Sequence, residues 1–293
     1  MRPPTTPLGI AAVAGRTGPD VGVALRWIDA VVGKARAQGA GLVVFPECAL
    51  GGYPVELPGG GRAGTPPALD LDGPELARLR EIAGPTTLVV GFTEASEDGS
   101  LLNSAVCLSG EGIHGVHRKV HLPPSEVFTY AAGDRFDAFD TPVGRMGMLI
   151  CYDKLFPEAS GRLAADGASI IVSPAAWPVC RRRPSRRLGR DVQAHHFDLV
   201  DRTRALENQV VWVSSNQVGR IGGLRFVGRA KVVDPLGRVL ARTSGRAGVA
   251  TARIDVEGVV SATRTALCHL DDRRPTAYGR PAAPPAAVLA GRS

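Results

Sequence analysis

A chain of 293 residues can bury a full hydrophobic core as one large domain or two small ones, and 44% hydrophobic with 22% charged residues is an ordinary globular composition. No stretch approaches the ~18 consecutive apolar residues of a membrane span, and the opening MRPPTTPLGIAAVAG is too proline-broken and weakly apolar for a signal peptide. Five scattered cysteines, an odd number with no CxxC pair, argue against a disulfide framework or structural zinc site and for reduced thiols in a cytoplasmic setting.

Residues 8–14 read as a first strand. Asp20 then caps a helix with apolar positions Val21, Ala24, Leu25, Ile28, Val31, Val32 and Ala35, ended by Gly39. The run LVVFP (42–46) is a buried strand that delivers Glu47 at its carboxyl end. The Gly/Pro-rich segment 51–67 reads as a loop. Its formal GxGxxG (Gly59, Gly61, Gly64) has no strand before it and TPP after it, so a dinucleotide site fails on context. Asp72 caps a short helix, 74–83, and LVVGF (88–92) is the next strand. Residues 102–109 and 112–119 pair across a Gly-Glu-Gly turn and bring Lys119 to a strand end.

The apolar run Met146–Ile150 ends on Cys151, and a helix follows from Pro157 to about residue 166. A buried strand stopping at a nucleophile just before a helix fixes its Cα and exposes its side chain, and helical N–H groups favour a thiolate and then an oxyanion. Strand 169–174, an arginine-rich loop, a helix from about 191 to 207 and strand 210–215 come next. A hairpin, 226–233 with 238–241, turns at Asp-Pro-Leu-Gly, and 249–255 is the last strand. Strands and helices alternate throughout, which implies an α/β layered fold with helices outside. Residues 1–272 form a single domain, and 273–293 are a Pro/Ala/Arg-rich arm or disordered tail.

Glu47, Lys119 and Cys151 each follow an apolar β run, and in layered α/β folds strand ends are where ligands sit. If the three ends meet, a carboxylate can take the thiol proton and the ammonium can stabilise the oxyanion, helped by the Tyr152 N–H. Taken singly, a strand-end Glu or Lys is more often a solvated charge.

VVFPECALGGYP around Glu47, HRKVHLP around Lys119 and ICYDKLFPE around Cys151 resemble the motifs of the carbon–nitrogen hydrolases of the nitrilase superfamily. GASIIVSPAAWP, HFDLVDRTRALENQVVWVSSNQVG, VGRAKVVDPLGRVLA and RRPTAY extend the resemblance to roughly residues 8–280. It implies a four-layer αββα sandwich, assembled as a homodimer or larger homo-oligomer. It also implies Glu47 as general base, Lys119 as oxyanion stabiliser, Cys151 as nucleophile and Glu126 as the residue that holds the lysine and substrate amide. Tyr53, Tyr152, Lys154 and Trp177 are expected around the substrate. No metal or organic cofactor is required. The implied substrate is a small amide or N-carbamoyl compound, because nitrile-hydrolysing relatives place tryptophan after the nucleophile and this chain has Tyr152–Asp153.

Three positions depart from the family pattern: Gly15 replaces a glutamine, Phe197 a tryptophan and Ala230 a small hydroxyl residue. Lys154 reads either as a ligand for a substrate carboxylate or as a solvated charge. Of the 35 basic residues all but Lys34, Lys119, Lys154 and Lys231 are arginine, and the net charge of +7 is concentrated in 181–190, Arg181, Arg182, Arg183, Arg186, Arg187 and Arg190. That loop reads as a lure for an anionic substrate, a subunit contact or a solvated surface. An arginine-driven nucleic-acid binder lacks any helix-turn-helix or aromatic RNA-binding signature. His114, His117 and His121 have ligand-like spacing, but residues three apart on a strand face opposite ways, which disfavours a metal site.

Overall fold

The computed structural model describes residues 6–56, 62–63 and 65–278. In chain order the first half runs β1 (Leu8–Gly15), α1 (Val21–Ala37), β2 (Ala40–Val44), the short pair β3 (Val55–Glu56) and β4 (Arg62–Ala63), α2 (Pro74–Ala83), β5 (Thr87–Ala95), β6 (Leu101–Ser109) and β7 (Gly112–Arg118). The second half runs β8 (Phe139–Thr141), β9 (Gly144–Met148), α3 (Pro157–Ala165), β10 (Ile170–Ser173), α4 (Val192–Asn208), β11 (Val211–Ser214) and β12 (Asn216–Gln217). The short hairpin β13 (Arg220–Ile221) and β14 (Leu224–Arg225) precedes β15 (Lys231–Val233), β16 (Val239–Arg242), β17 (Gly248–Ile254) and α5 (Val256–Leu267).

Two sheets result. One has the order β12-β1-β2-β5-β6-β7 with β17 also paired to β1, the other β16-β15-β11-β10-β9-β8. Side chains alternate between the faces of each strand, and here both faces are apolar. Ile10, Ala12, Ala14, Leu42 and Val44 point inward and meet Met146, Met148, Ile150, Ile170, Val172, Val211 and Val213 of the second sheet. Their neighbours Ala11, Val13, Val43 and Phe45 point outward, under Ile28 and Val32 of α1 and Leu76 and Leu79 of α2. On the far side Leu149, Ile171, Trp212 and Val233 pack with Leu163 of α3 and Ala205 of α4. Helices, sheet, sheet and helices therefore form the expected αββα sandwich.

The pairing fixes which strand ends share an edge. β1, β2 and β5 are mutually parallel, while β6 opposes β5 and β7 opposes β6, so β7 runs with β2. In the second sheet β9, β10 and β11 are parallel. The chain then crosses from β11 to pair β12 with β1 of the first sheet, stitched by Ser215 Oγ donating to the Phe45 carbonyl at 2.6 Å.

Several sequence expectations need correcting. Gly73, not Asp72, is the N-cap of α2, which starts on Pro74, a residue suited to a position with no intrahelical N–H bond. Strand β15 begins at Lys231 rather than Phe226, because Gly228 and Arg229 both have positive φ (63° and 59°) and break extension. Helix α5 follows the last predicted strand, where the sequence reading places no element. It is capped by Asp255, which accepts the Gly258 N–H, and buries Val256 and Val260, but β-branched residues and an internal glycine mask its period. The three glycines of the GxGxxG lie outside the described residues. So do residues 279–293 of the tail, whose start is tied down by Arg273 donating to the Gly161 carbonyl at 3.1 Å.

Candidate active site

Glu47 leaves β2 on a tight turn. Cys48, next to it, adopts a left-handed backbone (φ 49°), a conformation that costs a non-glycine residue about 1–3 kcal/mol and concentrates at functional sites. The turn lies against Gly91 of β5, where an added Cβ would come within 2.7 Å of the Cys48 nitrogen and 2.9 Å of the Glu47 Cα. Only a residue without a side chain lets the strand and turn approach so closely.

Glu47 is fully buried and every partner it has is polar. Its Oε1 accepts from Lys119 Nζ and from Asn103 Nδ2, both at 2.7 Å, and its Oε2 accepts the backbone N–H of Ala176 at 2.7 Å. Gln217 Nε2 donates to the Glu47 carbonyl at 3.0 Å. Lys119, one residue beyond β7 and equally buried, also donates to Glu126 Oε1 at 2.7 Å and Oε2 at 2.9 Å. Glu126 completes the ring by accepting from Asn103 Nδ2 at 3.1 Å and from the Tyr53 hydroxyl at 2.5 Å. One ammonium thus sits between two carboxylates, and neutral donors satisfy the remaining oxygens, which is what allows charges to persist out of water.

Cys151 opens a five-residue 3-10 turn, Cys151–Leu155, with φ 49°, so its side chain leaves the strand direction sharply. Its N–H donates to the Pro174 carbonyl at 2.9 Å, two residues before the Ala176 N–H that binds Glu47. The thiol is held well above its ordinary range, first by burial and then by the Glu47 charge, which together outweigh the Lys119 ammonium. The group directly following Cys151 is a single 3-10 turn rather than the helix expected from the sequence, and α3 begins only at Pro157. For Lys119, burial alone would lower the pKa, but Glu126 and then Glu47 hold the ammonium well above the usual lysine range. Burial raises the Glu126 carboxyl, offset in part by Lys119.

The other predicted residues divide. Tyr53 joins the cluster through Glu126, and burial pushes its hydroxyl well up, so it donates as the phenol. Trp177 is buried beside the site, its backbone N–H on Asn216 Oδ1 at 2.8 Å and its Nε1–H on Gln193 Oε1 at 2.9 Å. Tyr152 is half-buried with its ring edge-on to Phe156 at 5.4 Å. Lys154 contradicts both sequence readings. It is fully buried, its ammonium donates to Asp201 Oδ1 at 2.8 Å, and it lies 3.5 Å from the centroid of Phe197. Neither a solvated charge nor a cation free for a substrate carboxylate, it belongs to an internal ion cluster.

The histidine expectation also changes. His117 Nε2 and His121 Nδ1 each lie 2.9 Å from a different oxygen of Asp153, because His121 falls beyond the end of β7 and is free of strand geometry. His114 instead contacts Ser109 Oγ at 2.9 Å. Among the described residues no group of three or more His, Cys, Asp or Glu side chains is placed to hold a metal ion. No helix among them is long and apolar enough to cross a membrane.

Asn103, Gly91 and Ala176 escaped the sequence reading. Asn103 left one trace, a lone amide in the apolar run LLNSAVCL, where a buried polar side chain needs a partner. Gly15 has a clear reason: a Cβ there would come within 2.2 Å of the Trp27 ring, which occupies the space a longer side chain would take.

The carbon–nitrogen hydrolase profile matches residues 10–264. An (R)-stereoselective amidase from a Pseudomonas species is 33% identical over 277 residues, covering 90% of each chain. A probable nitrilase from Schizosaccharomyces pombe is 29% identical over 246 residues, 82% of this chain and 84% of the relative. Among solved structures, the carbon–nitrogen hydrolase of Helicobacter pylori G27 superposes with a TM-score of 0.79 at 25% identity, covering 93% of this chain and 97% of that one. With the αββα sandwich, these matches establish that the chain belongs to the carbon–nitrogen hydrolases of the nitrilase superfamily and is a hydrolase of carbon–nitrogen bonds.

Proposed function

We propose that the protein hydrolyses a small amide to a carboxylic acid and ammonia through a thioester on Cys151. The observation that carries this reading is the buried Glu47 carboxylate, held on one oxygen by Lys119 and on the other by the N–H of Ala176, on the same segment whose Pro174 carbonyl accepts the Cys151 N–H. Glu47 takes the thiol proton as sulfur attacks the amide carbon. Negative charge that develops on the carbonyl oxygen is met by the Lys119 ammonium and by the Tyr152 N–H, which no backbone acceptor among the described residues takes up. As the C–N bond breaks, protonated Glu47 delivers its proton to the departing nitrogen. Glu47 then removes a proton from water, the hydroxide adds to the thioester, and the acid leaves with Cys151 restored as the thiol. Glu126 holds Lys119 from the far side and, with the Tyr53 hydroxyl, offers contacts for the substrate amide.

The amidase names of relatives, including a human omega-amidase 29% identical over 238 residues, favour amides. An ammonia-release screen over small amides, ω-amides of dicarboxylic acids, N-carbamoyl amines and nitriles tests the assignment. Turnover of an amide, abolished by Cys151→Ala in a folded protein, is the expected result. Ammonia release from N-carbamoyl amines alone would move the substrate to that class, and turnover of nitriles alone would overturn the amide assignment.

A further inference from the structure

The turn that carries Cys151 is held from behind by α4. A 3-10 turn leaves its last carbonyls without partners inside the turn. Here those of Lys154 and Leu155 are both taken by one guanidinium: Arg204 Nε donates to the Lys154 carbonyl at 2.8 Å and Arg204 Nη2 to the Leu155 carbonyl at 3.1 Å. One helical turn earlier, Asp201 takes the Lys154 ammonium at 2.8 Å. Lys154 is thus fixed at both its backbone and its side-chain end by residues three apart on one helix face.

Asp201 is itself bonded on both carboxylate oxygens. It is fully buried and also accepts from Ser214 Oγ at 2.8 Å, Trp212 Nε1 at 3.1 Å and Lys231 Nζ at 2.5 Å. The Phe197 ring takes both ammoniums as cation–π partners, its centroid 3.5 Å from Lys154 Nζ and 3.7 Å from Lys231 Nζ. Asp198 takes up the rest of the positive charge through Lys231, Arg229 and Arg242. Burying the charges of Lys154, Asp201 and Lys231 is often no more stabilising than an apolar core of the same volume, so the cluster invites a reason beyond stability.

We propose that Asp201 and Arg204 are positioning residues for the nucleophile, acting through Lys154 to hold the Cys151–Leu155 turn so that the thiol keeps its place beside the Pro174–Ala176 segment that binds Glu47. This rests on the cysteine mechanism proposed above. Neither residue touches the reacting atoms. Their effect is to fix where the thiol and the Tyr152 N–H stand.

Three variants test it: Arg204→Met, Arg204→Lys, which keeps the charge but not the two-pronged donor, and Asp201→Asn, which keeps the shape but not the charge. For each, kcat and KM are measured on an amide that the parent hydrolyses, with the thermal midpoint. The rate of Cys151 alkylation by iodoacetamide, located by peptide mass spectrometry, is read in parallel and needs no substrate. The expected result is a fall in kcat of at least tenfold for Arg204→Met and Asp201→Asn, with KM within threefold, partial recovery in Arg204→Lys, and alkylation at least fivefold slower. Folded variants with a lowered midpoint but kcat and alkylation within twofold of the parent would overturn the proposal. Should Arg204→Met not fold, Asp201→Asn and Arg204→Lys decide it on the same criteria. If the parent hydrolyses amides without Cys151, the mechanism itself has failed, whereas the alkylation rates still report on the turn.

Discussion

Glu47 Oε2 accepts the backbone N–H of Ala176 at 2.7 Å although 129 positions separate the two residues. Glu47 follows β2 of one sheet and Ala176 follows β10 of the other, so this bond closes the mouth of the sandwich across its two sheets. The same segment anchors Cys151, whose N–H donates to the Pro174 carbonyl at 2.9 Å. The Glu47 carboxylate, the Cys151 turn and the packing of the two sheets are therefore mechanically one object.

Glu47→Gln keeps a carbonyl oxygen that can accept the Ala176 N–H but cannot hold a proton in transit. We expect kcat to fall by about 10²–10⁴-fold, the usual contribution of a general base. The fold should survive, as read by circular dichroism. A loss smaller than tenfold would mean that another group takes the thiol proton.

Lys119 compensates two carboxylates, whereas Glu126 is one of two counter-charges for Lys119. Removing Lys119 leaves like charges facing each other without water. Lys119→Gln should destabilise by about 3–5 kcal/mol in urea denaturation, the range for breaking a buried ion pair on one side. Glu126→Gln, which leaves the Lys119–Glu47 pair intact, should cost clearly less. Equal losses would contradict the reading of Lys119 as the centre of the cluster.

Asp153 gives a pH-dependent test. Burial alone would raise its pKa, but hydrogen bonds from His117 and His121 outweigh it and hold the carboxyl well below its ordinary value of 3.8. A depressed carboxylate contributes stability that is present above its unfolded pKa and is lost as pH falls below it, because there the unfolded chain binds more protons. Asp153→Asn should therefore cost about 1.5–3 kcal/mol at pH 7, as for hydrogen bonds to a charged group. The gap from the parent should narrow as pH drops below about 4. A gap constant from pH 7 to pH 3 in denaturant titrations would rule out the ionised Asp153 as its source.

Gly91→Ala probes the glutamate turn from behind. The new methyl would press on Cys48 N at 2.7 Å, Glu47 Cα at 2.9 Å and the Pro46 carbonyl at 2.9 Å, all backbone atoms with little room to yield. We expect a stability loss of about 1–3 kcal/mol, typical of overpacking, and a fall in kcat of more than tenfold because Glu47 shifts from Lys119 and Ala176. Unchanged kcat in a destabilised variant would show that the turn tolerates displacement.

Much of this arrangement was legible in the sequence because it depends on strand ends. Apolar runs stopping at Glu47, Lys119 and Cys151 predict both the sheets and the residues at their rims, and parallel pairing then puts those rims on one edge. What was not legible depends on contacts between distant segments. Lys154 looks solvated beside Asp153 and Leu155, and only α4, nearly fifty residues on, supplies the Asp201 that buries it. His117 and His121 meet on Asp153 because the chain leaves β7 between them, an event that no local pattern marks. Asn103, whose amide bridges the two carboxylates, differs from its apolar neighbours by one polar group, and its partners are 56 and 23 positions away. Helix α5 was hidden for a local reason, since its valines and threonines fit a strand as well as a helix.

The claim on which the account rests is a covalent bond to Cys151 during turnover. Acid quenching of the enzyme while it hydrolyses a saturating amide, followed by peptide mass spectrometry, reads that bond directly. The account predicts that the peptide containing Cys151 gains the mass of the acyl group, that the adduct disappears once substrate is consumed, and that Cys151→Ala shows neither adduct nor turnover. Undiminished amide hydrolysis by Cys151→Ala, with no acylated peptide in the parent, would contradict it.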